Sequence, residues 1–208
     1  MASQAERMIN HDHKCIFIHI PRTAGSSIEQ WISGQDWWNV NPSTKHLVAS
    51  QAKSIYADYW DDYFKFSVVR DPVSRVLSCL KYAKYFGLSL DSDGNVDFSQ
   101  YRTLFGNRII LEHDYRFHKR SNLAKKKHRA HSVYGNILDE KLDLIIKFEN
   151  LKEGLDLVGE KIGLNRNFEV HIETFEAKPA EDIISKSTLS DIKNLYKYDY
   201  TRFYPRKR

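Results

Sequence analysis

The stretch from Lys14 to Ile28, KCIFIHIPRTAGSSI, constrains the fold more than any other part of this chain. A short apolar run stops at Pro-Arg-Thr-Ala-Gly-Ser-Ser, and an amphipathic segment begins. Cys15, Ile16, Phe17, Ile18 and Ile20 have the β-branched and aromatic content of a buried strand. Pro21 and Gly25 punctuate the loop after it. Ser26 or Ser27 is expected to cap a helix that carries Ile28, Trp31 and Ile32 on one face and ends near Gly34. A strand feeding a small-residue loop that opens a helix makes an anion site. The first-turn N–H groups have no partner inside the helix, and the helix dipole favours negative charge there. Arg22 adds a guanidinium, and Thr23, Ser26 and Ser27 add hydroxyls. Two readings stand at this level: a loop that grips a phosphate, and an ordinary strand–turn–helix connection. Neither G-x-x-x-x-G-K-[ST] nor G-x-G-x-x-G is present, since Gly25 stands alone.

The same arrangement recurs at Tyr63 to Tyr85. Phe64, Phe66, Val68 and Val69 read as a strand, Arg70-Asp71-Pro72 breaks it, and Pro72 suits the first turn of a helix. Val73, Val76, Leu77, Leu80 and Ala83 then recur at helical spacing, with Arg75, Lys81 and Lys84 placed elsewhere on the wheel. Ligands of open α/β sheets bind at the carboxyl ends of the strands, so Arg70 and Arg22 are expected at one rim if their strands are parallel neighbours. The alternative for Arg70 is an ion pair with Asp71 or another neighbour. Ser78 lies eight positions past Arg70, a little over two turns into the helix.

A third strand is read at Leu142 to Phe148, ended by Glu149-Asn150. A helix with Leu151, Leu155, Val158 and Ile162 comes next and closes at Gly163. Three strands each followed by a helix predict an α/β fold with a parallel sheet and right-handed crossovers. The remaining segments are less patterned. Met1 to His13 reads as a loose arm. Gln35 to Thr44 reads as a surface loop whose Trp37 and Trp38 stack on a sugar ring or cover the core. Lys45-His46 sits at the entry to a helix running through Tyr56, where a lone histidine is a cap, a solvated side chain or a catalyst. Ser92-Asp93-Gly94-Asn95 forms a turn, and a short helix is expected from Phe98 to Phe105. A last helix is expected from Leu189 to Tyr198, with Thr188 and Asp191 as a capping box.

Composition bounds the class. At 208 residues the chain is long enough for one domain with a substantial core, and 41% hydrophobic with 28% charged residues is ordinary for a globular protein. No apolar run is long enough to span a membrane, and the polar start MASQAERMINHDHK has no signal-peptide core, so a cytoplasmic location is expected. Cys15 and Cys79 read as small buried hydrophobes of a reducing compartment. No Cys/His cluster has zinc-ligand spacing. The net charge of +5 suits an anionic partner without choosing among nucleotide, nucleic acid, acidic glycan and membrane surface. Much of that charge lies between Arg108 and Gly135, where Arg116, Lys119, Arg120 and Lys125 to Arg129 form a basic surface segment. It is either a solvated face or a platform for an anionic acceptor.

Taken together, IFIHIPRTAGSSI, KFSVVRDPVSRVLSCLKY and IIKFENLKEGLDLVGEKIGL, in this order and spacing, resemble the sulfotransferase family that includes the heparan 2-O and chondroitin carbohydrate sulfotransferases. The likeness is strongest to short soluble bacterial members and runs from about Lys14 to Tyr204. It implies a P-loop-NTPase-like, three-layer fold with a central, mainly parallel sheet flanked by helices. It also implies 3′-phosphoadenosine 5′-phosphosulfate (PAPS) as the donor, no metal, and a carbohydrate acceptor, with neither nucleic acid nor membrane span expected. By the same resemblance Pro21, Arg22, Thr23, Ala24, Gly25, Ser26 and Ser27 match the 5′-phosphosulfate loop. Arg70 and Ser78 match the 3′-phosphate pair, and His46 falls where relatives carry a histidine proposed as general base. Lys147-Phe148-Glu149-Asn150 matches a signature with no assigned role.

One position departs from the pattern: relatives carry lysine where this chain has Arg22. Arginine supplies charge and a bidentate fork but holds its proton, so it stabilises a leaving phosphate without acting as an acid. Three rival readings remain. One is a kinase-like nucleotide binder, one an anionic-glycan or nucleic-acid binder without chemistry, and one a family member that keeps the fold but not the activity.

Overall fold

The computed structural model describes residues 8–35, 45–80, 90–96, 131–168 and 180–205. In chain order the strands and α-helices are β1 (Ile9–Asn10), β2 (Cys15–Ile18), α1 (Gly25–Ser33), α2 (Ala49–Ile55), α3 (Ala57–Trp60), β3 (Phe64–Val69), α4 (Pro72–Leu80), α5 (Tyr134–Ile137), β4 (Leu144–Lys147), α6 (Leu151–Ile162), α7 (Lys186–Leu195) and α8 (Lys197–Phe203). They divide into two compact units. One comprises Met1–Val69 with Leu138–Ile172, and the other Arg70–Ile137 with Glu173–Arg208.

The first unit is built on one sheet in the order β1-β2-β3-β4. β2, β3 and β4 are mutually parallel, as the sequence leads one to expect, and β1 is antiparallel to β2. Parallel strands covered by helices read as unbroken apolar runs rather than alternations. β2 is accordingly buried at every position, and β3 from Lys65 to Val69. Phe17 pairs with Phe66, and their rings stack at 4.9 Å between centroids. Lys65 and Ser67 are the polar exceptions in β3: the Lys65 ammonium donates to the Trp60 carbonyl at 3.0 Å, and the Ser67 hydroxyl donates to the Ile18 carbonyl at 2.6 Å. After β4 the chain makes a 3-10 turn at Phe148–Asn150 and enters α6, whose Leu151, Leu155, Val158 and Ile162 are buried. α1 and α6 end at Gly34 and Gly163, both left-handed, where the sequence places those stops.

The expected loose arm ends sooner than Met1 to His13 suggests. Met8 is fully buried, and Ile9 and Asn10 pair with Ile16 and Cys15. Asn10 also accepts the His13 N–H at 2.8 Å, which closes the turn into β2. The polar composition of this segment conceals a two-residue edge strand too short to show any periodicity.

The second unit is helical. Here α4 departs from its expected face: Arg75 is fully buried, along with Val76, Ser78 and Cys79, while Val73, Leu77 and Leu80 are half-buried. The Arg75 guanidinium donates to the Tyr196 hydroxyl at 3.1 Å and lies 5.8 Å from the centre of the Tyr134 ring. The far end of the expected basic surface segment is likewise internal. Ser132, Val133, Tyr134 and Gly135 are buried, and the Asp199 carboxylate holds them. Asp199 accepts from the Ser132 hydroxyl at 2.7 Å and from the N–H groups of Val133, Tyr134 and Gly135 at 2.5, 3.2 and 3.1 Å. Residues 97–130, which hold the rest of the basic segment and the helix expected at Phe98 to Phe105, lie outside the described residues. The expected turn at Ser92 to Asn95 is present, with Asp91 accepting from the N–H groups of Asp93 and Asn95.

The single last helix is two, α7 and α8, and the Thr188–Asp191 capping box is not formed. Ser185 caps α7 instead, accepting the Thr188 N–H at 3.1 Å. The Thr188 hydroxyl accepts from the Val96 N–H at 3.0 Å. Among the described residues no helix is long and apolar enough to cross a membrane.

Candidate functional site

The sheet delivers the loop at the carboxyl end of β2. That strand ends at Ile18, and His19, Ile20 and Pro21 continue buried. The backbone then turns into α1 through two left-handed residues that are not glycine, Arg22 (φ 68) and Ala24 (φ 66). Each such residue costs on the order of 1–3 kcal/mol and persists only where its surroundings impose it. Thr23 supplies part of that imposition. It is fully buried, and its hydroxyl donates to the Ile20 carbonyl at 2.7 Å. That hydroxyl therefore shapes the loop from within.

The entry to α1 also differs from expectation. Neither Ser26 nor Ser27 caps it. The N-cap is Ala24, no described side chain caps the helix, and both serines lie exposed in the first turn. Among the described residues no side chain takes the first-turn N–H groups, which by their nature suit water or an anion. Gly25 is fixed by sterics: a Cβ there would sit 1.8 Å from His19 Nε2.

Around this corner the fold buries a cluster of ionisable groups. Glu29, one turn after Gly25, is fully buried. Its Oε1 accepts from His19 Nδ1 at 2.5 Å, and its Oε2 faces Lys45 Nζ at 3.0 Å. Lys45 Nζ also donates to Ser26 Oγ at 3.0 Å. His46, 6% exposed, is neither a cap nor a solvated side chain. Its Nδ1 lies 3.1 Å from the His19 carbonyl, and the two imidazoles are 4.2 Å apart. A carbonyl only accepts, so His46 Nδ1 carries the proton and the neutral ring has its lone pair on Nε2. The start of α2, three residues on, is tied down by Asp139, which accepts from the Ser50 N–H at 2.8 Å and the Ser50 hydroxyl at 2.6 Å. Val48 N–H donates to the Gln51 side chain at 3.0 Å, which fixes the chain just after Lys45 and His46.

Arg70 and Ser78 belong to the second unit. Arg70 lies just before α4, and the Tyr134 hydroxyl donates to its carbonyl. Asp71 caps α4 by accepting the Ser74 N–H at 2.9 Å and lies 3.4 Å from the Tyr200 hydroxyl. Ser78 is buried on α4. Trp37 and Trp38 lie outside the described residues.

Sequence reasoning does not single out His19 or Glu29, and it reads Lys45 only as the neighbour of His46. The signals are faint. His19 is one polar residue in an apolar run, and Glu29 comes four positions after Gly25 at the edge of the apolar face of α1. Cys15 and Cys79 are both buried, and burial pushes the Cys15 thiol up to about 12. No group of three or more His, Cys, Asp or Glu suited to a metal ion occurs among the described residues.

A family model described as "Sulfotransferase family" matches residues 6–205 of this chain. No curated protein and no solved structure matches it.

Proposed function

Because the chain belongs to the sulfotransferase family, we propose that it transfers the sulfuryl group of PAPS to a hydroxyl of a carbohydrate acceptor, in the manner of the heparan 2-O and chondroitin enzymes. The family match runs across both compact units, which supports reading the whole chain as one sulfotransferase domain. The observation that carries the reading is the corner between β2 and α1: left-handed Arg22 and Ala24 lead into a helix start that no described side chain caps. Oriented N–H groups and a cation at a helix N-terminus favour a phosphate or phosphosulfate over any neutral ligand.

In this reading the loop Pro21 to Ser27 takes the 5′-phosphosulfate, and Arg70 with Ser78 takes the 3′-phosphate that distinguishes PAPS from ATP. The acceptor oxygen attacks sulfur in line, forming the new S–O bond as the bond to the bridging oxygen breaks. The electron pair leaves on the 5′-phosphate, where Arg22 offsets the developing charge. The hydroxyl proton passes to His46 Nε2, whose tautomer is consistent with that role. Positioning and electrostatics dominate transfers of this kind. The net charge of +5 suits an anionic acceptor, of which an acidic sugar is one kind.

Calorimetric titration with 3′-phosphoadenosine 5′-phosphate (PAP) and with ATP tests the donor, and transfer of radiolabelled sulfate to a panel of oligosaccharides tests the acceptor. Preference for PAP with label in sugar is the expected result. Equal affinity for the two nucleotides refutes the assignment of Arg70 and Ser78. Arg22 in the usual lysine position favours a second reading, a member that binds the nucleotide without turnover. PAP binding with no transfer to any acceptor would select it.

A further inference from the structure

Lys45 is buried to 4% exposure, yet its ammonium reaches Ser26 Oγ in the exposed first turn of α1 at 3.0 Å. The same ammonium pairs with Glu29 Oε2, also at 3.0 Å, and Glu29 has no exposed surface at all. Stability is a weak reason for such a pair. Desolvating each ion costs several kcal/mol, and apolar replacements of buried ion pairs are often neutral or stabilising. The placement of the charge is a better reason. The ammonium stands one hydrogen bond from a helix start that is already electropositive, on the loop proposed above to hold the 5′ end of the nucleotide. Glu29 is further engaged by His19, which fixes its carboxylate and so fixes where Lys45 Nζ sits.

We propose that Lys45 is a second cation of this loop, contacting the 5′-phosphate of the nucleotide beside Ser26, and that Glu29 is the residue that positions it. This rests on the PAPS reading and adds to it. Where relatives place one lysine in the loop itself, this chain divides the work. Arg22 supplies a guanidinium from the strained turn, and Lys45 supplies a compact ammonium from the segment that also carries His46. Arginine and lysine are not equivalent in such a role, since only the ammonium is a point charge with three rotatable donors.

The test is a comparison of two ligands that differ only at the 5′ end: PAP, and adenosine 3′-phosphate, which lacks the 5′-phosphate. Wild-type protein should bind PAP much more tightly. Lys45→Met should weaken PAP by about ten- to a hundred-fold, the range of one charge-assisted contact, and leave adenosine 3′-phosphate unchanged. Should Lys45→Met fail to fold because Glu29 is left as a buried lone charge, the Glu29→Gln/Lys45→Met pair removes both charges and should show the same selective loss. Glu29→Gln alone should weaken PAP by a smaller factor and likewise spare adenosine 3′-phosphate. An unchanged ratio of the two affinities in the folded variants overturns the proposal, and so does a parallel loss for both ligands, which would mark Lys45 as structural only. Failure of the wild type to bind PAP at all would instead strike the nucleotide reading beneath it.

Discussion

Imidazole chemistry at position 46 depends on which ring nitrogen holds the proton, and here a backbone carbonyl decides it. The His19 carbonyl takes the Nδ1 proton, so the neutral ring is set up to accept at Nε2. His46→Ala is expected to bind PAP with unaltered affinity while sulfuryl transfer slows by about 10²- to 10⁴-fold, the usual worth of a general base. Single-turnover transfer with radiolabelled donor reads the rate, and a wild-type rate would remove His46 from the role. A second residue answers to pH through burial alone. The Cys15 thiol, ordinarily at 9.0, is pushed up to about 12. The folded chain keeps that proton while the unfolded chain loses it above pH 9. The thiol's contribution to stability is thus complete below pH 9 and is lost as pH climbs toward 12. Between pH 8 and pH 10 the wild type should lose about 1.4 kcal/mol relative to Cys15→Val in urea unfolding. A gap between the two that does not change with pH would show that the thiol is not so protected.

At the scale of elements, caps separate what the sequence states from what it hides. Strand β3, the entry to α4 at Pro72 and the ends of α1 and α6 at Gly34 and Gly163 are all legible, because each is dictated by local chemistry: β-branched runs, a proline ring, a glycine that tolerates left-handed backbone. The starts of α1 and α7 are not. α1 begins on a left-handed alanine that no propensity favours, held there by the Thr23 hydroxyl and by the imidazole lying over Gly25. α7 is capped three residues before the expected Thr188 because Ser185 is recruited by a distant turn. Its N–H donates to Gly94 at 2.8 Å and its hydroxyl to Asn95 at 2.6 Å. Arg75 hides in the same way. A wheel places it off the apolar face, and Tyr134 and Tyr196, far along the chain, help make a buried guanidinium acceptable there. Ser185→Ala should therefore destabilise the protein by about 1–2 kcal/mol in denaturant unfolding, with Ser185→Asp recovering part of the loss. A neutral Ser185→Ala would mean that the docked turn, rather than the cap, fixes the start of α7.

Over the whole molecule, the candidate site is legible in the sequence as a loop and not as a cluster. The residues of the loop are contiguous, from Pro21 to Ser27, whereas His19, Glu29, Lys45 and His46 become neighbours only once β2, α1 and the approach to α2 have folded. The property that reads the entire chain at once is ligand-linked stability. A ligand present at a hundred times its dissociation constant stabilises the native state by about 2.7 kcal/mol, which for a protein of this size raises the melting temperature by roughly 5–11 °C. PAP at that excess should produce such a shift. Adenosine 5′-phosphosulfate, which keeps the 5′ group but lacks the 3′-phosphate, should produce a smaller shift at the same concentration. Loss of one charge-assisted contact of roughly 1.5–3 kcal/mol lowers affinity about ten-fold or more. Arg70→Ala should erase the difference between the two ligands by lowering the shift with PAP and leaving that with adenosine 5′-phosphosulfate in place. A variant whose shifts fall together would assign Arg70 to general nucleotide affinity. One whose shifts both match wild type would take Arg70 out of the site and leave Ser78 as the remaining proposed partner of the 3′-phosphate.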